Sequence, residues 1–394
     1  MKLLHIIRGT DPEAGGPIEA LLRFSDVWMR SGHSVEIASL EPEETATRHG
    51  LPVPVNALGN SVGRFGYSPR LVGWLRRNAG RFDAVILHGL WNYASWGSWR
   101  ALRNLPMPYF VFAHGMLDPW FRDSYPVKHM AKQLYWWFAE GRVLRDARSV
   151  LFTCEEERVR ARGQFWGPGY RERVVLLGTS EPPADIDRQD AAFDAAFPAL
   201  QRKRFLLFMG RIHPKKGCDI LIQAFAAAGG ERQDLDLVIA GPDQVGWKTD
   251  LLRMANRLGI SERVHWPGML KGDLKWGAYR NADAMILPSH QENFGFVVAE
   301  AMACSTPVLI SNKVNTWREV DSALAGFVEA DDLHGTQTLL RRFWALSEED
   351  RKKMREAARR GFEQYFDVEV AARSFLRTIE TEIDKEPAIS SCQP

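Results

Sequence analysis

The sequence predicts an α/β protein with two doubly wound parallel sheets. Short apolar runs rich in Val, Ile and Phe recur with little polar alternation, the pattern of strands buried on both faces. Helix-period segments separate them, as crossover helices do in a parallel sheet. A polar, Pro-containing break divides the runs into two series, hence two domains.

The first series is Leu3 to Ile7, Val35 to Ser39, Ala84 to His88, Tyr109 to His114, Val150 to Thr153 and Val174 to Leu177. The second is Phe205 to Met209, Leu237 to Ala240, Val264 to Trp266, Ala284 to Leu287, Val308 to Ile310 and Phe327 to Val328. Glu181 to Arg204, with Pro182-Pro183, reads as a linker, giving domains at 1–180 and 200–361. Glu348 to Gly361 and Val368 to Ile383 read as helices, Ser347 and Asp350 forming a capping box with Asp in place of Glu. The last helix, about 362–385, lacks a strand partner and is expected to return to the first domain; residues 386–394 are expected to fray.

Composition narrows the function classes. The 394 residues are 45% hydrophobic, 25% charged and 11% aromatic, which excludes a disordered chain. The net charge of +2 is not the footprint of a nucleic-acid binder. Residues 1–180 nevertheless hold 23 Lys/Arg against 17 Asp/Glu, and the remainder 28 against 32. Cys154, Cys218, Cys304 and Cys392 form no Cys-x-x-Cys pair, which fits a reducing cytoplasm. The run Leu3 to Ile7, broken by His5 and closed by Arg8, is short for a signal peptide and reads as a strand. No stretch reaches the ~18 apolar residues of a spanning helix.

Ligands of open α/β sheets bind outside the carboxyl ends of the strands. There, Phe205 to Met209 runs into Gly210-Arg211-Ile212-His213-Pro214-Lys215-Lys216-Gly217, a cationic turn before a helix. Cations at a helix N-terminus suit an anion such as a diphosphate; the alternative is a solvated basic turn. After Leu287, a polar loop carries Glu292 and ends at Gly295, where the amides of Phe294, Gly295 and Phe296 open a helix containing Glu300. Glu300 falls on an apolar stripe with Val297, Ala301 and Cys304, where a carboxylate needs partners. Ribose hydroxyls would serve, as would a structural Arg.

These segments, with Ile239-Ala240-Gly241-Pro242, Val264-His265-Trp266-Pro267-Gly268, Gly15-Gly16 and Gly32-His33-Ser34-Val35, resemble the retaining glycosyltransferases of family 4, with Glu292 and Glu300 at the characteristic spacing. The resemblance covers residue 1 to about 380. It implies the GT-B fold, two Rossmann-like domains with a cleft between them, the first for the acceptor and the second for a nucleotide-sugar. It implies a metal-independent hexosyltransferase of the retaining type with no cofactor, taking a UDP- or GDP-linked donor to a saccharide or lipid-linked acceptor, in polysaccharide or glycolipid biosynthesis.

By the same resemblance Arg211 and Lys216 bind the donor diphosphate and assist its departure, Glu292 stands near the donor sugar, and Glu300 holds the ribose. Met269 and Leu270 cradle the base, the Phe294, Gly295 and Phe296 amides face the donor, and Gly16 admits the phosphates. His114 faces the donor sugar. His88, Trp91 and Asp118 are candidates for the acceptor side, although a strand-end histidine is often structural and Asp118 could simply begin a turn. The family's Pro-Asn-Gly before the linker is replaced by Leu177-Gly178-Thr179. Alternatives are a nucleotide-sugar hydrolase or epimerase on the same fold, or a non-catalytic nucleotide or glycan binder.

The excess positive charge of the first domain is interleaved with aromatics. Arg64, Arg70, Arg76, Arg77 and Arg81 accompany Phe65, Tyr67 and Trp74; Lys128, Lys132, Arg142, Arg145 and Arg148 accompany Tyr135, Trp136 and Trp137. This suits peripheral contact with an anionic membrane on its cytoplasmic side, or ordinary solvated helix faces with core Trp.

Overall fold

A computed structural model describes residues 1–11, 16–120, 122, 125–201, 203–228 and 234–385. Gly15 and the 386–394 tail therefore lie outside the described residues. The chain divides into two compact units, Met1–Gly178 with Val368–Pro394, and Thr179–Asp367.

The first unit holds seven parallel strands: β1 (Lys2–Ile7), β2 (Ser34–Ser39), β3 (Val55–Ala57), β4 (Ala84–His88), β5 (Tyr109–Phe112), β6 (Ser149–Phe152) and β7 (Glu172–Val174), in the order β3-β2-β1-β4-β5-β6-β7. The second holds β8 (Arg204–Met209), β9 (Leu235–Ala240), β10 (Val264–Gly268), β11 (Ala284–Leu287), β12 (Val308–Ser311) and β13 (Gly326–Glu329), in the order β10-β9-β8-β11-β12-β13. Each order reverses once, at β1/β4 and at β8/β11, the switch points where doubly wound sheets open a crevice.

The central strands are continuous apolar runs because helices cover both their faces: Ala84–Leu87 and Leu206–Phe208 are all within 1% of complete burial. Burying each such Leu, Ile, Val or Phe contributes ~1.5–3 kcal/mol. The strand missing from the sequence reading, β3, is three half-buried residues at the sheet edge, Val-Asn-Ala, too short and polar to stand out. β7 is Glu172–Val174 rather than Val174 to Leu177, since its pairing with β6 begins at Glu172.

The expected linker is largely folded. Ile186–Ala196 is a helix capped by the Asp185 side chain, packed against the helix Gly272–Asn281. The approach is close: a Cβ on Gly277 would come within 2.3 Å of the Gln189 carbonyl. Phe193, only 2% exposed, is a core residue of the second unit. The helix Val368–Asp384 belongs to the first unit, where Phe375 packs on Phe24 and Trp28 and Ala372 accepts the Trp28 indole N–H. Ser347 caps Glu348–Gly361 by accepting from the Asp350 amide, while its hydroxyl donates to the Asp350 carboxylate, so the second arm of the box is side chain to side chain.

Candidate functional site

In the second unit the polar groups converge at the β8/β11 switch. β8 ends at Met209 and the chain turns through Arg211 to Gly217 into the helix Cys218–Ala228. Gly217, at φ 67°, lies so near the end of β11 that a Cβ would be 2.3 Å from the Pro288 carbonyl. That contact brings the cationic turn down onto the β11 loop, a link reinforced by the His290 amide donating to Lys215. As a result Lys216, itself 8% exposed, pairs with the Glu292 carboxylate.

Glu292 is held from behind. Its amide donates to Lys313 and its carbonyl accepts from Asn315. Its side chain lies against Gly295, which adopts φ 71° and caps the helix Phe296–Ala303. The helix N-terminus thus has the carboxylate beside it, with the ammonium paired to that carboxylate. Arg211, by contrast, is exposed and donates to Gln244 at 3.2 Å. His213, in the same turn, is held below its ordinary pKa by burial and by the charges of Lys215, Arg211 and Lys216.

Glu300 is buried, and its partners are Lys275 at 3.0 Å and the Tyr279 hydroxyl at 3.2 Å. Lys275 thus supplies a structural partner of the kind weighed for Glu300, one turn from Tyr279 on the helix Gly272–Asn281. At the positions expected to cradle a base, Met269 is 61% exposed and Leu270 is buried. Phe294 is buried edge-on against Phe296 and Phe366, so its ring is a packing element.

In the first unit a cavity of about 800 Å³ opens at the β1/β4 switch, lined among others by Arg8, Glu41, His88, Trp91 and His114. Gly16 begins the helix Gly16–Arg30 whose Pro17 and Ile18 also face this cavity. Trp91 and His114 both take left-handed backbone angles, φ 65° and 49°. The Trp91 ring nitrogen donates to the Met116 carbonyl, and Lys132 sits 4.6 Å over its ring. His88 and His114 are hydrogen bonded at 2.9 Å, and His88 is joined at 2.9 Å to a third histidine, His5. Burial drives all three imidazoles well below their ordinary pKa, His88 to about 3, so the rings are neutral. Asp118 is apart from this group: it accepts from the Trp120 amide, forming the turn weighed above, and pairs with Arg160 at 3.2 Å.

Sequence reasoning missed His5, Lys275 and Tyr279. His5 had a signal, a lone imidazole inside an apolar strand. Lys275 and Tyr279 had only their four-residue spacing on a helix. Among the described residues no group of three or more His, Cys, Asp and Glu gathers to hold a metal ion.

Comparison with known proteins gives a consistent picture. Residues 190–361 match the family described as glycosyl transferases group 1, and residues 15–179 a glycosyl transferase 4-like domain. The D-inositol 3-phosphate glycosyltransferase of Rhodococcus jostii is 36% identical over 250 residues, 61% of this chain and 48% of that protein. That of Actinosynnema mirum is 40% identical over 180 residues, 43% of this chain and 42% of that protein. The matched regions thus span less than half the length of these curated relatives. Among solved structures, Anabaena HepE in complex with UDP is similar with a TM-score of 0.75 at 18% identity, covering 97% of this chain and 100% of that one. A glycosyltransferase from Rickettsia africae gives 0.75 at 14%, covering 98% and 99%.

Proposed function

Starting from a chain that belongs to the group 1, GT4-type glycosyltransferases and has their two-domain α/β GT-B fold, we propose that it transfers a hexosyl group, with retention and without a metal ion, from a UDP- or GDP-linked sugar to a saccharide or lipid-linked acceptor. The observation that carries this reading is the pairing of Lys216 with Glu292 beside the Gly295 helix cap, at the switch point of the second sheet. In the reaction the bond between the anomeric carbon and the diphosphate oxygen breaks, and its electron pair leaves with the phosphate. Lys216, Arg211 and the helix amides offset that growing negative charge. Glu292 is placed to steady positive charge at the anomeric carbon or to orient sugar hydroxyls. The acceptor oxygen then bonds the anomeric carbon and passes its proton to the departing diphosphate oxygen. Glu300, with Lys275 and Tyr279 fixing its carboxylate, is assigned to the ribose hydroxyls, and the Met269–Leu270 loop to the base.

The test is transfer from UDP- and GDP-hexoses to saccharide and lipid-linked acceptors, in EDTA, with the product's anomeric configuration read by proton NMR. A product of inverted configuration, or donor consumption that yields only free sugar, refutes the proposal.

For the acceptor side we assign peripheral contact with an anionic membrane at its cytoplasmic face. The helix Pro126–Tyr135 buries none of its side chains: Val127 is 79%, Met130 70% and Leu134 56% exposed. Trp137, Phe138 and Trp166 extend the apolar surface, Trp166 being tied to Gln133 through two hydrogen bonds. Exposed Arg122, Lys128 and Arg142 flank it, and they complement anionic headgroups. Trp136, in contrast, is core, and Arg145 is paired with Asp146. No helix of the described residues is long and apolar enough to cross a membrane. Co-sedimentation with vesicles containing phosphatidylglycerol should exceed that with phosphatidylcholine alone and fall in Phe138→Ser; binding independent of anionic lipid contradicts the assignment.

A further inference from the structure

His5, His88 and His114 form one continuous chain, and strand register explains why. β1, β4 and β5 are neighbours in the sheet. His5 lies opposite Ile86, and His88 is two residues further along β4; His88 lies opposite Phe112, and His114 is two residues beyond. Side chains two apart share a face, so the three imidazoles climb one face diagonally towards the carboxyl ends. The step at His114 is fixed by its left-handed φ and by Gly115, whose amide donates to Glu157 at 2.6 Å. Glu157 in turn accepts from the amide and hydroxyl of Thr153.

The contacts are His5 Nδ1 to His88 Nε2 and His88 Nδ1 to His114 Nε2, both 2.9 Å. Each neutral imidazole has one N–H and one lone pair. Two bonds among three rings use two of each, leaving one N–H and one lone pair at opposite ends. One end is His5 Nε2, enclosed and without a hydrogen-bond partner among the described residues. Trp28 stacks on this ring, but its N–H goes to the Ala372 carbonyl. The other end is His114, which lines the 800 Å³ cavity. A buried N–H without an acceptor is rarer than an under-used acceptor, and its desolvation is uncompensated. The proton therefore belongs at the cavity end.

We propose that His5 and His88 are positioning residues that lock His114 as the Nδ1–H tautomer, so that it presents a hydrogen-bond donor to an oxygen of a hydroxylated ligand in the cavity. All three rings then carry their proton on Nδ1, the tautomer that free histidine side chains disfavour. His5, with no route to the ligand, acts through two intervening bonds. The catalytic consequence rests on the reading of His114 as the group facing the donor sugar, whereas the tautomer does not.

The experiment is a long-range proton–nitrogen correlation spectrum of the full chain labelled with ¹⁵N-histidine at neutral pH. The expected result is protonated Nδ1 and bare Nε2 at His114. His5→Asp puts a carboxylate acceptor where the Nδ1–H donor stood, so His88 should turn to donate from Nε2 and His114 should become Nε2–H, whereas His5→Asn keeps an amide donor at that position and should preserve Nδ1–H. In transfer assays His5→Asp should lower kcat ~10-fold or more with little change in KM, as reversal of a fixed tautomer does, and His5→Asn should keep most of the activity. Nε2–H at His114 in the unaltered protein, or an unchanged His114 signal in a folded His5→Asp protein, overturns the proposal. Absence of transferase activity in the unaltered protein would count against the reaction assigned above, while the nitrogen shifts would still decide the tautomer.

Discussion

Both sheets reverse strand order beside their first strand, and polar side chains collect at both reversals, yet the two units solve the burial of those groups differently. At β1/β4 the first unit gathers three imidazoles that burial keeps uncharged and that hydrogen bond one to the next. At β8/β11 the second unit uses full charges, Lys216 on Glu292, with Lys275 on Glu300 nearby in the same fold. A neutral chain can present a directed donor without attracting an anion. A charge pair at a helix N-terminus can exchange part of its attraction for a diphosphate, because cation, dipole and ligand complement each other. On the reading proposed above, side-chain chemistry suits the second unit's switch to phosphate and the first unit's to hydroxyl groups.

The sharpest way to break this contrast is to remove charge from the second unit. Lys216→Ala should lower turnover ~10²–10³-fold, the range for losing one preorganised electrostatic contact to a developing anion, with the first unit's stability unaffected. Arg211→Ala should follow the same direction, and its exposed side chain makes any fold effect small. Steady-state transfer kinetics beside thermal unfolding check both; near-normal transfer by Lys216→Ala would contradict the assignment.

A second substitution tests the scaffold. Gly217→Val places a branched side chain at φ 67° against the Pro288 carbonyl. It should destabilise the second unit by ~2–4 kcal/mol and pull Lys216 away from Glu292. Calorimetry should show one unit's transition lowered and the other's retained.

A third test concerns neutrality in the first unit. Below pH 6.5 an unfolded chain protonates His5, His88 and His114, whereas the folded rings stay neutral, His88 down to about pH 3. The unfolded state then binds more protons, so stability falls as pH drops. Glu140 acts in the opposite sense: burial raises it from 4.5 to about 8, so the folded carboxyl stays protonated where the unfolded one ionises, and stability falls as pH rises from 4.5 to about 8. Each proton counts for ~1.4 kcal/mol per pH unit. The three histidines outweigh one carboxyl on the acid side, which puts these groups' optimum near pH 6.5. Melting temperatures from pH 4 to 9 should show that maximum, and Glu140→Gln should flatten the decline above it. Unchanged stability on the acid side would mean that the histidines are charged in the folded protein.

Much of this was legible because strands buried on both faces have a strong pattern. The runs Ala84–Leu87 and Phe205–Met209 required only apolar continuity. β3 was not legible, since three half-buried edge residues carry no such continuity. The segment around Phe193 was misread because Pro-rich entry resembles a linker until the Gly277 contact that packs it is known. At the candidate site, the Lys216 and Glu292 motifs could be located separately, but their pairing depends on the approach of Gly217 to Pro288. His5 escaped notice for a similar reason: only the order β1-β4-β5 puts it in line with His88 and His114.

The central claim, that charge in the second unit serves the diphosphate while the neutral chain of the first serves hydroxyl groups, is tested most directly by titration calorimetry of UDP and GDP with Lys216→Ala and His114→Ala proteins. The account predicts that the preferred nucleotide loses at least ~10-fold in affinity with Lys216→Ala and binds His114→Ala as it binds the unaltered protein, although both variants lose turnover. Nucleotide affinity that survives Lys216→Ala and collapses in His114→Ala would contradict it.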